Sequence, residues 1–355
     1  MIGEGDLQAA VSEGIIDQAQ AVRIAHLTRM RQATAIARHD AVEPATIDPD
    51  DERFRLIGGF NDVFVAIGVC LLAGALLGLA RVLGFGNAFA GVALLAAWGL
   101  SEIFARRMRL ALPSILLAVM FAGSAAWLAS PLATDLRTEA AGGAALGAGA
   151  IGFAIVIASR LHRWRFGVPI NSAITAIGCI ALLFGLLIMA PYHLSTNWIA
   201  VIVGLIVFAV AMRTDMGDPQ RLTRRSDSAF WLHLLAAPLI VHPMIQLVTS
   251  GISQTAPLQA VVILVLFMVF GLIALVIDRR ALLVSGLSYA GIAIAYLLTQ
   301  RVSGGLDLPL TLLGLAVVVL GLSVGWRSLR ARLVPLLPLG RLRERLPPIA
   351  LPETR

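Results

Sequence analysis

The sequence contains no lysine: all 28 of its basic residues are arginine. Charge of either sign is scarce, at 14% of residues against about a quarter in soluble globular domains, which excludes an ordinary soluble fold. There are two cysteines, Cys70 and Cys179, each inside an apolar run. No CxxC or Cys/His spacing occurs, so a disulfide framework and a zinc site are not expected. The first residues, MIGEGDLQAAV, lack the basic n-region of a cleavable signal peptide. HExxH and a glycine-rich phosphate loop are also missing, and GLSYAG has no strand–turn–helix setting for a nucleophile elbow. These absences give the expectation of a non-enzyme without metal or cofactor. The isoelectric point near 10.7 would suit nucleic acid, but the arginines form no single patch. They lie in short clusters between apolar runs, so no nucleic-acid partner is expected.

What is present is apolar sequence: 58% of residues are hydrophobic and the mean hydropathy is +0.86. A membrane span needs about 20 mostly apolar residues to cross about 30 Å of hydrocarbon. Ten runs qualify, at 62–80, 87–105, 112–133, 140–159, 168–190, 194–212, 229–249, 256–277, 281–299 and 307–326. The fold class expected is therefore an all-α polytopic membrane protein. With ten spans, 25 of the 28 arginines fall on one side, and only Arg81, Arg137 and Arg301 on the other. The positive-inside rule makes the arginine-rich side cytoplasmic, with both termini inside. The expected location is a bacterial inner membrane, with the bilayer itself and its anionic headgroups as partners of the arginine-rich loops and tail.

Outside the spans, three segments are expected. Residues 1–39 read as a cytosolic helical hairpin: Asp6 caps a short helix through Val11, Gly14 ends it, and Asp17 caps the next. Residues 40–52, DAVEPATIDPDDE in their surroundings, form an acidic linker unable to bury a core. Residues 327–355 form an arginine- and proline-rich tail on the inner surface, with Trp326 as an interfacial anchor closing the domain 53–326. The hairpin, through Gly14, Ile15, Ile16, Gln18 and Ala19, resembles the start of uncharacterised bacterial membrane-protein families that open with a cytosolic G-[IL]-[IL]-x-x-x-Q-A hairpin and continue as many apolar helices. The resemblance implies that architecture and supplies no activity.

Ionisable groups inside a bilayer are costly and mark function by default. Asp62, Glu102 and Asp278 fall at span ends, where helix capping or arginine pairing explains them; Glu102 stands four residues before Arg106. The seventh span, in SDSAFWLHLLAAPLIVHP, carries two histidines. At 1.5 Å per residue from Ala229, His233 lies roughly 6 Å deep and His242 roughly 20 Å. Nine residues make about 900°, so the two rings point to opposite faces and cannot share a metal. His242 shares its stripe with Trp231, Pro238, Gln246 and Thr249, while His233 lies among apolar residues near the surface, where water or a loop can satisfy it. Span 5 brings Asn171, Ser172 and Thr175 to the depth of His233, and span 9 brings Ser285, Ser288 and Tyr289. The candidate cavity-lining set is His242, Gln246, Thr249, His233, Asn171, Ser172 and Ser285. Gly74/Gly78, Gly321/Gly325 and the glycine-rich span 4 read as helix-packing surfaces. The functional expectation is a transporter or channel for a small solute; the alternative is a non-catalytic scaffold or sensor that recruits a cytosolic partner through the hairpin.

The orientation is checked with reporter fusions. Fusions at residue 220 and at the C-terminus are expected to read cytoplasmic and one at residue 136 external; an external C-terminus contradicts the ten-span orientation.

Overall fold

The computed structural model describes residues 10–15, 17–20, 60–135, 141–188, 195–218, 223–250, 256–299, 306–338 and 340. Asp6, the linker 40–52 and the tail beyond Gly340 lie outside them. The chain separates into two compact units, Met1–Asp51 and Glu52–Arg355. In the first, Gly14 takes φ 72° and closes a helical turn, with its N–H on Val11 O and the Ile15 N–H on Ala10 O. Asp17 and Gln20 then form a reciprocal capping box: Gln20 N–H donates to Asp17 Oδ1 (2.7 Å) and Asp17 N–H to Gln20 Oε1 (3.0 Å). Both signals read from the hairpin sequence are thus at work locally.

Among its described residues the second unit has ten α-helices and no strand. They are α1 (Phe60–Leu83), α2 (Gly86–Ser101, continued by a π-helical stretch Glu102–Arg107), α3 (Ala111–Asp135), α4 (Ala141–Phe166) and α5 (Asn171–Ile188). The remainder are α6 (Thr196–Asp215), α7 (Arg224–Ser250), α8 (Ala256–Ile277), α9 (Ala281–Thr299) and α10 (Asp307–Leu333). Among the described residues nine are long and apolar enough to cross a bilayer, and α9 carries a shorter apolar run, Leu283–Leu298. In hydrocarbon each backbone N–H and C=O must be satisfied within the segment, which an α-helix achieves. The protein is an all-α, multi-pass membrane protein.

Three helices depart clearly from their expected bounds. Helix α4 runs to Phe166, past the expected end at 159. Helix α7 starts at Arg224 instead of near 229, which puts Ser226 and Ser228 inside the bundle wall. Helix α10 runs to Leu333, past the expected end at 326. Trp326 is not an interfacial anchor: it is buried, as is Arg330 one turn later. The tail starts later than its arginines suggest because Arg330 finds partners in the interior.

The helices pack as two groups of five. Helices α1 to α5 surround cores made by Val69, Leu117, Phe121 and Ala158 and by Ala118, Phe166, Ile170 and Ile174. Helices α6 to α10 surround a core that includes Val207, Leu232, Ile240, Phe270 and Trp326. The groups meet principally along α5 and α7.

Small residues set the closest helix contacts within each group. A Cβ added at Gly152 of α4 would lie 2.7 Å from Gly178 O of α5, and one at Gly185 would lie 2.8 Å from Ala145 O. The glycine-rich span 4 is a packing surface. Gly74, Gly78, Gly321 and Gly325 have open space around them and pack no helix among the described residues. Replacing Gly152 with valine is therefore expected to force α4 and α5 apart and cost about 1–3 kcal/mol, whereas Gly74→Val is expected to be neutral. Apparent melting temperatures of the two purified variants in detergent check this contrast.

Candidate functional site

Cross-helix bonds bring the ends of α2 and α4 together with the start of α5, and the ends of α6, α8 and α10 together with the start of α7. Many of the buried polar groups lie at these helix ends, where arginine clusters of the sequence also fall.

In the second group the centre is Arg279, in the turn between α8 and α9. It grips Asp215, at the end of α6, with two hydrogen bonds: Nη2 to Oδ1 at 2.6 Å and Nε to Oδ2 at 3.1 Å. Nη2 also donates to the Ser226 Oγ and backbone O of α7, at 3.2 and 3.4 Å. Arg279 is 3% exposed and Asp215 6%. The planar fork of an arginine makes this double contact with Nε–H and one Nη2–H, leaving the second Nη2–H to the two Ser226 oxygens of another helix. His233 stands two turns into α7, 1% exposed, with Nε2 3.8 Å from Asp215 Oδ2 and its ring edge-on to Phe208.

The neighbouring residue, Asp278, has φ 57°, a left-handed conformation in which a C-capping glycine usually sits. The strained turn aims its carboxylate at α10. Trp326 Nε1 donates to Asp278 Oδ1 at 2.8 Å, and Arg330 Nη1 lies 3.7 Å from Oδ2 while its Nε donates to Leu275 O at 3.3 Å. Arg280 covers the Trp326 ring, 4.9 Å from its centroid. Two adjacent residues of opposite charge thus tie α6 and α7 on one hand and α10 on the other to a single turn.

The first group has its own polar knot, and it centres on a histidine that sequence reasoning missed. His162 of α4 is fully buried, its ring in tilted contact with Phe121 and Phe166 at centroid distances of 5.6 and 4.6 Å. The Asn171 amide Nδ2 donates to Val168 O at 3.1 Å and to His162 Nδ1 at 3.0 Å. Nδ1 must then be an acceptor, so the proton of the neutral ring sits on Nε2 and is donated to Ser101 Oγ at 3.1 Å. Ser101 Oγ in turn donates a hydrogen bond to Ala97 O at 2.7 Å. Asn171 Oδ1 is buried without a hydrogen-bond partner among the described residues. Beside this knot Glu102 pairs with Arg165 across helices at 2.8 Å as well as with Arg106 at 3.3 Å. The signal for His162 was legible in principle: it falls four residues before Phe166 on the apolar face of α4, but RLHRWR reads as a basic loop unless the helix is carried through it.

The expected set is dispersed. Asn171 and Thr175 serve His162 and Ser159, not His233; Thr175 Oγ1 lies 2.8 Å from Ser159 Oγ. The one Ser172 hydroxyl proton is shared between Pro169 O at 2.8 Å and, across the two groups, Ser228 O at 3.2 Å. His233 is not satisfied from the surface as expected but sits in the core beside Asp215, because α7 begins a turn earlier. His242 and Gln246 are exposed on the outer side of α7. Gln246 Nε2 donates to His242 Nε2 at 2.9 Å, and His242 Nδ1 is bonded to the Tyr289 hydroxyl of α9. Thr249 bonds back to Ile245 O, and Ser285 is half-buried on α9. A cleft of about 370 Å³ does open between the groups, but its walls are Val119, Ala122, Gly123 and Ile155 facing Trp231, Leu234, Leu235 and Pro238, with α5 as its floor. None of the seven candidates lines it. No cluster of three metal-ligating side chains occurs among the described residues.

Comparison with protein-family models, curated proteins and solved structures returned no match.

A buried ion pair is worth little against an apolar isostere, yet removing one member strands the other and costs about 3–5 kcal/mol. Asp215→Leu and Arg279→Met are each expected to lower the apparent melting temperature strongly, and the double variant is expected to recover a large part of the loss. A double variant no better than the sum of the singles contradicts the pairing.

Proposed function

We propose that the protein carries a small solute across a bacterial inner membrane, with both termini cytoplasmic, by movement of one five-helix group against the other. The observation that supports this most is the way the polar bonds divide. Among the described residues, the ion pairs and hydrogen bonds given above for the two knots stay within their own groups, while the groups meet principally along α5 and α7, where Ser172 Oγ reaches Ser228 O. Rocking of two rigid bundles about such a seam is the general route to alternating access. Helix α7, on the moving side of the seam, contains Pro238 and Pro243, and each removes a backbone hydrogen bond that would stiffen it. The charged knots would keep the arginine-rich ends of each bundle intact while the seam opens.

A second reading, a scaffold or sensor recruiting a cytosolic partner, is favoured by the N-terminal unit. It is compact on its own, and Ile15 at its turn is 69% exposed.

The test uses proteoliposomes of the full chain in a Cys70→Ala/Cys179→Ala background carrying Ser172→Cys and Ser228→Cys, assayed for flux of a panel of sugars, amino acids and polyols. The carrier reading predicts flux of at least one solute that falls about tenfold on oxidation and returns on reduction. No flux with any solute favours the scaffold, and flux indifferent to the cross-link contradicts movement at the seam.

A further inference from the structure

The cleft between the two groups has no polar wall. Its lining residues come from α3, α4, α5 and α7, and every one of them is apolar except for the indole N–H of Trp231. In a membrane such a recess is filled from the side, by whatever the bilayer supplies. The stripe of α7 that lines it extends past the cleft. Positions 224, 228, 231, 235 and 238 recur at three- and four-residue steps and so share one face of the helix. Arg224, at the arginine-rich end of that stripe, is exposed, and no ion pair to it exists among the described residues. Its Nη1 lies against Gly167, in the turn that leads through Ile170 into the cleft floor. A Cβ on Gly167 would stand 2.7 Å from Nη1, and the residue's φ of 66° also suits glycine.

From Arg224 to Pro238 is 14 residues, about 21 Å of helix. That is about half of the 40–45 Å that a bilayer measures with its headgroups. One uncommitted cation at headgroup level, followed by an apolar recess one leaflet deep, is complementary to a single amphiphile.

From this we infer that the seam holds an anionic phospholipid of the arginine-rich leaflet, one acyl chain in the cleft and the phosphate on Arg224. The guanidinium fork suits a phosphate oxygen pair. The chain would touch both five-helix groups, so the lipid is a built-in wedge at their one seam. The site does not depend on whether any solute is carried.

Native mass spectrometry of the delipidated full-length protein tests it, with phosphatidylglycerol or phosphatidylcholine added back. The wild type is expected to bind one phosphatidylglycerol in preference to phosphatidylcholine. Arg224→Gln should lower phosphatidylglycerol binding about fivefold, the weight of one interfacial arginine, and phosphatidylcholine binding less, because choline offsets its phosphate charge. Gly123 lines the cleft with open space at its Cβ position, so Gly123→Leu should fill it and weaken both lipids together. Val119→Trp, at a half-exposed position of the rim, serves as a second filling variant should the first fold poorly. Equal binding of the two lipids by the wild type, or unchanged binding in both filling variants, overturns the site. So does a Gly123→Cys protein that cross-links to a second copy to the same extent with and without lipid, because the cleft would then be a subunit contact.

Discussion

The second half of the bundle depends on one guanidinium. Arg279 is enclosed by apolar helices, and a cation there is tolerable only because Asp215 takes two of its N–H groups and Ser226 a third. Three helices must be in place for those bonds to exist: α6 for the carboxylate, α7 for the serine, and the α8–α9 turn for the arginine. Lipid offers no hydrophobic force to press helices together, so polar contacts and close packing carry the specificity. Asp278 repeats the device from the next residue, bringing in α10 through Trp326 and Arg330. The fold of helices α6 to α10 is in this sense keyed at one end by charge and packed elsewhere by shape.

The first half reaches the same end by other means. Its interior polar groups are neutral, an imidazole, an amide and a hydroxyl in line, and its tightest contact is backbone against backbone at Gly152 and Gly178. A neutral chain of hydrogen bonds needs no counter-ion, but it does need every member oriented. Asn171 achieves this by sharing one amide nitrogen between Val168 O and His162. The two halves are thus internally specified by different chemistries. Among the described residues, the seam between them has the shared hydrogen bond of Ser172 to Ser228 O and an apolar cleft. The strength of bonding within the halves and its poverty between them supports the view that they move as bodies.

Much of this was written legibly in the sequence. The ten apolar runs correspond to the ten helices, since length and hydropathy decide what lies in a bilayer. The local signals at Gly14 and Asp17 acted as read, being interactions over three or four residues. What was not legible is the pairing of charges that lie near span ends. Asp215, Arg279 and Arg330 each look like ordinary interfacial residues of a basic loop, and only packing turns them inward. Arg330 also lengthened α10, because a buried partner made a further turn of helix favourable. His162 was hidden inside RLHRWR for the same reason. His242 and His233 lie on opposite faces, as the helix period requires, but which face is interior is decided by neighbours on other helices, Asp215 and Phe208 for His233 and Tyr289 for His242. That information does not reside in the helix itself.

The claim that the bundle is two bodies joined at one seam is tested most directly by pulsed electron–electron distance measurements in liposomes. Spin labels at Phe64 of α1 and Val284 of α9, both exposed, report across the groups. Labels at Phe64 and Leu95 of α2, also exposed, report within one. The account predicts a broad or two-peaked distribution for the first pair and a single narrow one for the second. A single narrow distance for both pairs, under every lipid and solute condition tried, contradicts it.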